Sequence, residues 1–209
     1  MEFDLQLVLD TLKKKRKIFV SEADFQLELA WEIKKAYKNA KVRLEYCPSF
    51  NPSLHLDILV IIDNQWYPIG LKYKKKGCEK IADGEYFNLK NDGARDIGCY
   101  LYLKDIQRIE KIQENVKEFK KGYTIMLTND LCYTKEPGRD NSAYQAFSLA
   151  EDSIKTGTLN WKVGSKTGEA PQVNKPIVLN GSYKMHWQEY SRLDDTNTGT
   201  FKYVINEIN

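Results

Sequence analysis

Between residues 4 and 17, Leu5, Val8, Leu9 and Leu12 recur at helical intervals, and lysines fill the last turn, where the helix dipole favours positive charge. This predicts a short amphipathic helix. A second helix starts at Ser21, a good N-cap, with Glu22 and Asp24 in the acid-favouring first turn and Phe25, Leu29, Ile33 and Tyr37 on one stripe; "KNAK" ends it. The pattern then changes. Three strand-like runs follow at 42–46, 54–62 and 66–73, separated by "CPSFNPS" and by the tight polar "DNQ", so the second and third form a hairpin. After a loop rich in Gly, Lys and Asp, a long helix is predicted from about Ala94 to Phe119, carrying Ile97, Leu101, Ile106, Ile109 and Ile112. "GYTIMLTND" (122–130) reads as a buried fourth strand. Further on, "SAYQAFSLAEDSI" predicts a helix and "KTGTLNWKVGSKTGEAPQVNKP" a long polar loop, while "GSYKMHWQEY" and "FKYVINEI" predict late strands. No internal repeat is visible.

This order predicts an α/β or α+β fold, a mixed sheet flanked by helices. At 209 residues the chain suits one domain, 1–209, with a core at about 20–130, an N-terminal helix at 4–17 and a C-terminal elaboration at 131–209. Hydrophobic residues at 42% and charged residues at 29% are ordinary globular values and exclude a disordered chain. No apolar run approaches the roughly 18 residues of a membrane helix, and the N-terminal charges follow the apolar part, the reverse of a secretory signal. A cytoplasmic protein with no membrane partner is expected. Cys47, Cys78, Cys99 and Cys132 are scattered, and only His55 and His186 accompany them, which predicts free thiols in place of a zinc site or disulfides. The net charge of +3 does not imply a globally basic nucleic-acid binder, but "KKKRK" (13–17) and "KYKKK" (72–76) are locally dense.

Strand alternation puts Asp57 on a face with His55, Leu59 and Ile61, and puts Gly70 on the same face of the next strand as Pro68 and Lys72. A carboxylate among apolar neighbours needs a cation, a lysine or a metal. Asp57 in "LDILV" followed by "IGLKYK" (69–74) resembles the PD-(D/E)XK nuclease superfamily, whose restriction-endonuclease-like core runs helix, hairpin, strand, helix, strand. The resemblance covers about residues 20–130, and the acid of the third strand is absent, with Gly70 in its place. It implies a magnesium- or manganese-dependent DNA endonuclease, with a prokaryotic defence role by family analogy alone. It also implies Asp57, the position of Gly70 and the carbonyl of Leu71 as metal ligands, Lys72 as the charge-stabilising or water-orienting group, and Glu22 as an additional acid, with Glu28 and Glu32 as rivals. A homodimer would suit cleavage of two strands.

Loss of an acid that would bind the metal directly predicts an impaired or inactive enzyme. Gly70 has other readings: a glycine at a bulge or a close backbone approach, a natural degeneration, or an inactivating change. Lys72 also reads as a strand-end lysine and Asp57 as its ion-pair partner; Glu22 also serves its helix dipole. Lys74, Lys75, Lys76 and Arg95 are the candidate nucleic-acid contacts. Lys104, Arg108 and Lys111 form a helix face interspersed with Asp96, Asp105 and Glu110, which reads mainly as solvated surface. Trp161, Lys162, Lys166, Lys184 and Trp187 fit either nucleic-acid contact or a small β-core. His186 has no evident partner. The alternative to an enzyme is a nuclease-derived module that binds nucleic acid or a protein without catalysis.

Overall fold

The structure, a computed structural model, describes residues 2–138 and 142–209 of the chain. Asp4 caps the first helix, α1 (Leu5–Lys15), by accepting from the Leu7 N–H, and Ser21 caps α2 (Glu22–Ala36) by accepting from that of Asp24. Strands β1 (Lys41–Tyr46), β2 (Leu56–Ile62) and β3 (Gln65–Lys74) form an antiparallel meander. Its tight turn is built on Asp63 and Asn64, both at positive φ, as a two-residue hairpin turn requires. After the small hairpin β4 (Cys78–Ala82) and β5 (Glu85–Leu89), the long helix α3 (Arg95–Asn115) crosses over so that β6 (Gly122–Thr128) lies parallel to β3. β7 (Ile154–Leu159) and β8 (Ile177–Lys184) form a second small hairpin, and β9 (Trp187–Arg192) and β10 (Thr200–Ile208) return to the main sheet. The six-stranded sheet has the order β1-β2-β3-β6-β10-β9.

The molecule is therefore an α+β protein with a mixed central sheet covered on both faces. Ile58, Val60, Ile69, Leu71 and Ile125 face α1 and α2, whose stripes deliver Leu9, Phe25, Leu29 and Ile33. On the other face Leu59, Met126 and Val204 meet Tyr102, Ile106 and Ile109 of α3 and Leu179 of β8. β6 is buried along its whole length, as expected of a strand with covered faces and neighbours on both edges. No helix among the described residues is long and apolar enough to cross a membrane.

Several predicted elements differ. α3 ends at Asn115 because Val116 turns extended, and Phe119 instead pairs as an isolated bridge with Trp66. The loop after β3 contains the β4–β5 hairpin, turned on Asp83 and Gly84, both at positive φ. The helix expected in "SAYQAFSLAEDSI" is only a short 3-10 turn at Gln145–Phe147, since the Ser148 hydroxyl bonds the Ala150 N–H and Asp152 takes positive φ. The polar loop begins with strand β7, and "GSYKMHWQEY" divides between β8 and β9. The C-terminal part extends the central sheet by two strands, so the core reaches well past residue 130. All four cysteines are free.

Candidate active site

β2 and β3 pair from Ile62↔Gln65 to Ile58↔Ile69, where their ladder ends, while β3 continues beside β6 to Lys74. Beyond that point, carboxylates satisfy backbone donors of β3. The Leu71 N–H donates to Asp57 Oδ2 at 2.5 Å and the Tyr73 N–H to Glu22 Oε2 at 2.7 Å. The Gln26 amide of α2 donates to the Asp57 carbonyl at 2.6 Å and to Glu45 Oε1 at 2.7 Å, tying the first turns of α2 to the start of β2. Asp57 is thus held at the fork where two strands part.

Lys72 projects from β3 into this fork on the α3 face. Its Nζ lies 2.6 Å from Asp105 Oδ2, donates to the Leu71 carbonyl at 2.8 Å, and stands 3.7 Å from Asp57 Oδ2. Arg108, one turn further along α3, donates to Asp105 Oδ1 at 2.6 Å. Two carboxylates and two cations therefore balance, with the Asp105 side chain only 4% exposed. Burial, opposed by the charge of Lys72 and reinforced by that of Asp105, pushes the Asp57 carboxyl up to about 6. Burial also works against the Lys72 ammonium, but Asp105, Asp57 and Glu22 outweigh it and hold the lysine protonated more firmly than a free one. Lys72 is consequently suited to stabilise anionic charge and poorly suited to accept a proton at neutral pH.

Gly70 faces α3 at this same point. A Cβ built on it would stand 2.9 Å from Asp105 Cβ and 3.5 Å from Asp105 Cγ and Thr124 Cγ2. The close-approach reading of this glycine therefore has a specific neighbour. Because Asp105 Cβ is fixed to the helix backbone, a side chain at residue 70 requires α3 to move away from β3. Gly70→Ala is expected to destabilise the fold by about 1–3 kcal/mol, read as a lower urea midpoint with an unchanged slope.

The other sequence candidates disperse. Glu22 reaches β3 and its charge is felt by both Asp57 and Lys72, whereas Glu28 pairs with Arg16 and Glu32 with Lys15, away from the fork. Lys75 pairs with Asp92 at 2.8 Å and Arg95 with Asp130 at 2.9 Å, so these two proposed nucleic-acid contacts are engaged by carboxylates. Lys74 is half-buried and Lys76 exposed. His55 lies 3.2 Å from the Cys47 thiol, and His186, expected to be partnerless, lies 3.1 Å from Glu151. The tail aromatics belong to a core: Trp161 stacks on Tyr100 and donates to the Val173 carbonyl, and Trp187 donates to that of Leu149.

The helix face read as surface is corrected most. Asp105 and Glu110 are both buried, Glu110 accepting from the Asn180 and Gly181 N–H groups and the Tyr183 hydroxyl. Asp105 was the missed site residue; its spacing from Tyr102 and Ile109 puts it on the apolar stripe of α3, a signal present in the sequence. On the outer side of α3, Lys104, Arg108 and Lys111 line a cleft of about 510 Å³ together with Lys175, Tyr100 and Ser53. No carboxylate lines it among the described residues. Burial, followed by the charge of Arg108, lowers the Lys104 pKa.

Comparison with protein-family models, curated proteins and solved structures finds no match to this chain. Among the described residues no group of three or more His, Cys, Asp or Glu is arranged to hold a metal. Two carboxylate oxygens and a backbone carbonyl surround one cation, the Lys72 ammonium. Hard oxygen donors of this kind are the type that magnesium and manganese take.

Proposed function

We propose that the protein is a metal-dependent phosphodiester hydrolase of the restriction-endonuclease-like, PD-(D/E)XK type, acting on DNA. The observation that carries this reading is the convergence of Asp57 Oδ2, the Leu71 carbonyl and Asp105 Oδ2 on the Lys72 ammonium, at the fork of an antiparallel meander. The order helix, three antiparallel strands, crossover helix and parallel strand supports the finer fold assignment. Asp57 and the Leu71 carbonyl would hold the divalent cation, which supplies a water of lowered pKa and neutralises charge on the phosphate. Lys72, released from its carboxylates, donates to the non-bridging phosphate oxygens, where negative charge builds. Glu22 and Gln26 fix the strand ends on which Asp57 and Lys72 sit.

With no carboxylate on residue 70, hydrolysis is expected to be slow in this chain unless another group supplies the acid. The test is cleavage of a labelled DNA duplex with magnesium or manganese present and with chelator added. Cation-dependent cutting supports the reading, and intact DNA under every cation condition contradicts it. A duplex cut on both strands by a chain that sediments as a dimer would extend the proposal to paired sites.

The acid-free cleft favours a second reading, a nucleic-acid-binding module without catalysis. Lys104, Lys111 and Lys175 present their charges to one volume, and a phosphate backbone would relieve the repulsion among them. Reversing charge with Lys104→Glu and Lys111→Glu together is expected to weaken DNA binding at least about tenfold and to flatten its salt dependence by about two counterions. Unchanged affinity and slope would remove the cleft from the interface.

A further inference from the structure

We infer that Asp105 supplies the second carboxylate of the site, delivered from α3, and that Gly70 is the opening that admits it. This rests on the hydrolase reading above and changes its account of the missing acid. A carboxylate on residue 70 and the Asp105 side chain compete for the same volume, since a Cβ at residue 70 would lie 2.9 Å from Asp105 Cβ. A side chain at residue 70 therefore fits only if β3 and α3 move apart.

Three observations give Asp105 a role beyond that of a counter-ion. First, its side chain is buried to 4% exposure on the face of α3 turned to the sheet, where an ionised carboxylate is costly, so its location at the fork is specific. Second, its two oxygens are divided. Oδ1 is held by Arg108, while Oδ2 points at Lys72 Nζ from 2.6 Å and has no hydrogen bond of good geometry. Third, the same ammonium is approached by Asp57 Oδ2 and bonded to the Leu71 carbonyl. Two acids and a main-chain oxygen thus surround one cationic position, the acids coming from β2 and α3 instead of from two neighbouring strands. Asp57, Asp105 and the Leu71 carbonyl would hold a divalent cation in place of the ammonium, which would free Lys72 to meet the substrate.

The experiment is manganese binding to the whole chain without DNA, followed by the loss of the free-ion electron paramagnetic resonance signal. Wild type is expected to bind one Mn2+ per chain, with Asp57→Asn and Asp105→Asn each weakening it at least about tenfold. An exchange variant, Gly70→Glu with Asp105→Gly, moves the acid to the strand and removes the obstructing Cβ; it is expected to recover binding to within a few-fold of wild type. The exchange variant also decides the matter if Asp105→Asn does not fold. Wild-type affinity in Asp105→Asn, or no recovery on exchange, would overturn the inference, as would a wild-type chain that binds no Mn2+. Failure of the hydrolase reading looks different: Mn2+ bound through both aspartates with DNA left uncut.

Discussion

Lys72→Met is expected to cost about 3–5 kcal/mol of folding stability at pH 8, the range observed when one partner of a buried ion pair is removed. The variant leaves Asp57 without its cation and leaves Asp105 with Arg108 alone. The deficit is pH-dependent, because an abandoned carboxylate can take up a proton. Asp57 already titrates at about 6 with Lys72 present, and without it the carboxyl holds its proton still more strongly. The penalty is therefore expected to shrink as the pH falls from 8 to 5, measured by urea unfolding at both values. A penalty that is constant with pH would mean that packing, not charge, is what Lys72 contributes.

Asp57→Asn is expected to have opposite effects on stability and on hydrolysis. The Asp57 carboxyl is raised from 3.8 to about 6 in the folded chain, so the folded state binds its proton more tightly than the unfolded state does. Its contribution to stability is full below the unfolded value and is lost as the pH rises through about 6. An upward shift of that size corresponds to about 3 kcal/mol. Asparagine does not titrate and retains an oxygen for the Leu71 N–H. The stability of Asp57→Asn relative to wild type is thus expected to improve by about 2–2.5 kcal/mol between pH 4 and pH 7, while DNA cleavage falls at least about 100-fold. Parallel stability curves for the two proteins would refute the burial account of Asp57.

The central hairpin was legible because its physics is local. β2 and β3 are short, mostly buried runs, and Asp63 and Asn64 between them tolerate the positive φ that a two-residue turn demands. Ser21 and the stripe from Phe25 to Ile33 likewise placed α2. Asp57 and Lys72 were readable as a pair because register and alternation bring neighbouring strands together. The C-terminal half was less readable. β7 is exposed along most of its length, so its pattern resembles a polar loop, and Glu110 of α3 satisfies backbone donors of β8, a long-range contact with no local signature.

Asp105 illustrates the same limit at the site itself. Its neighbours Lys104, Arg108 and Lys111 give α3 the appearance of a solvated helix and mask its place on the stripe with Tyr102 and Ile109; that β3 is what packs against it there has no signature within α3. Gly70 is the local trace of that packing. A strand glycine first reads as the loss of a side chain; the neighbouring helix gives it a positive reason. Likewise the basic run at Lys74–Lys76 and Arg95 was conspicuous in the sequence, yet Lys75 and Arg95 are engaged by Asp92 and Asp130, and the acid-free cleft draws instead on Lys175, which is remote in sequence from α3.

The most direct measurement is nicking of supercoiled plasmid DNA with Mn2+ by the wild-type chain, Asp57→Asn and Lys72→Met, each verified as folded by circular dichroism. Nicking by wild type that disappears with chelator and in both variants is the predicted result. Plasmid left supercoiled by the wild-type chain at any Mn2+ concentration, or nicked equally by all three proteins, would contradict the assignment of a hydrolytic site to this fork.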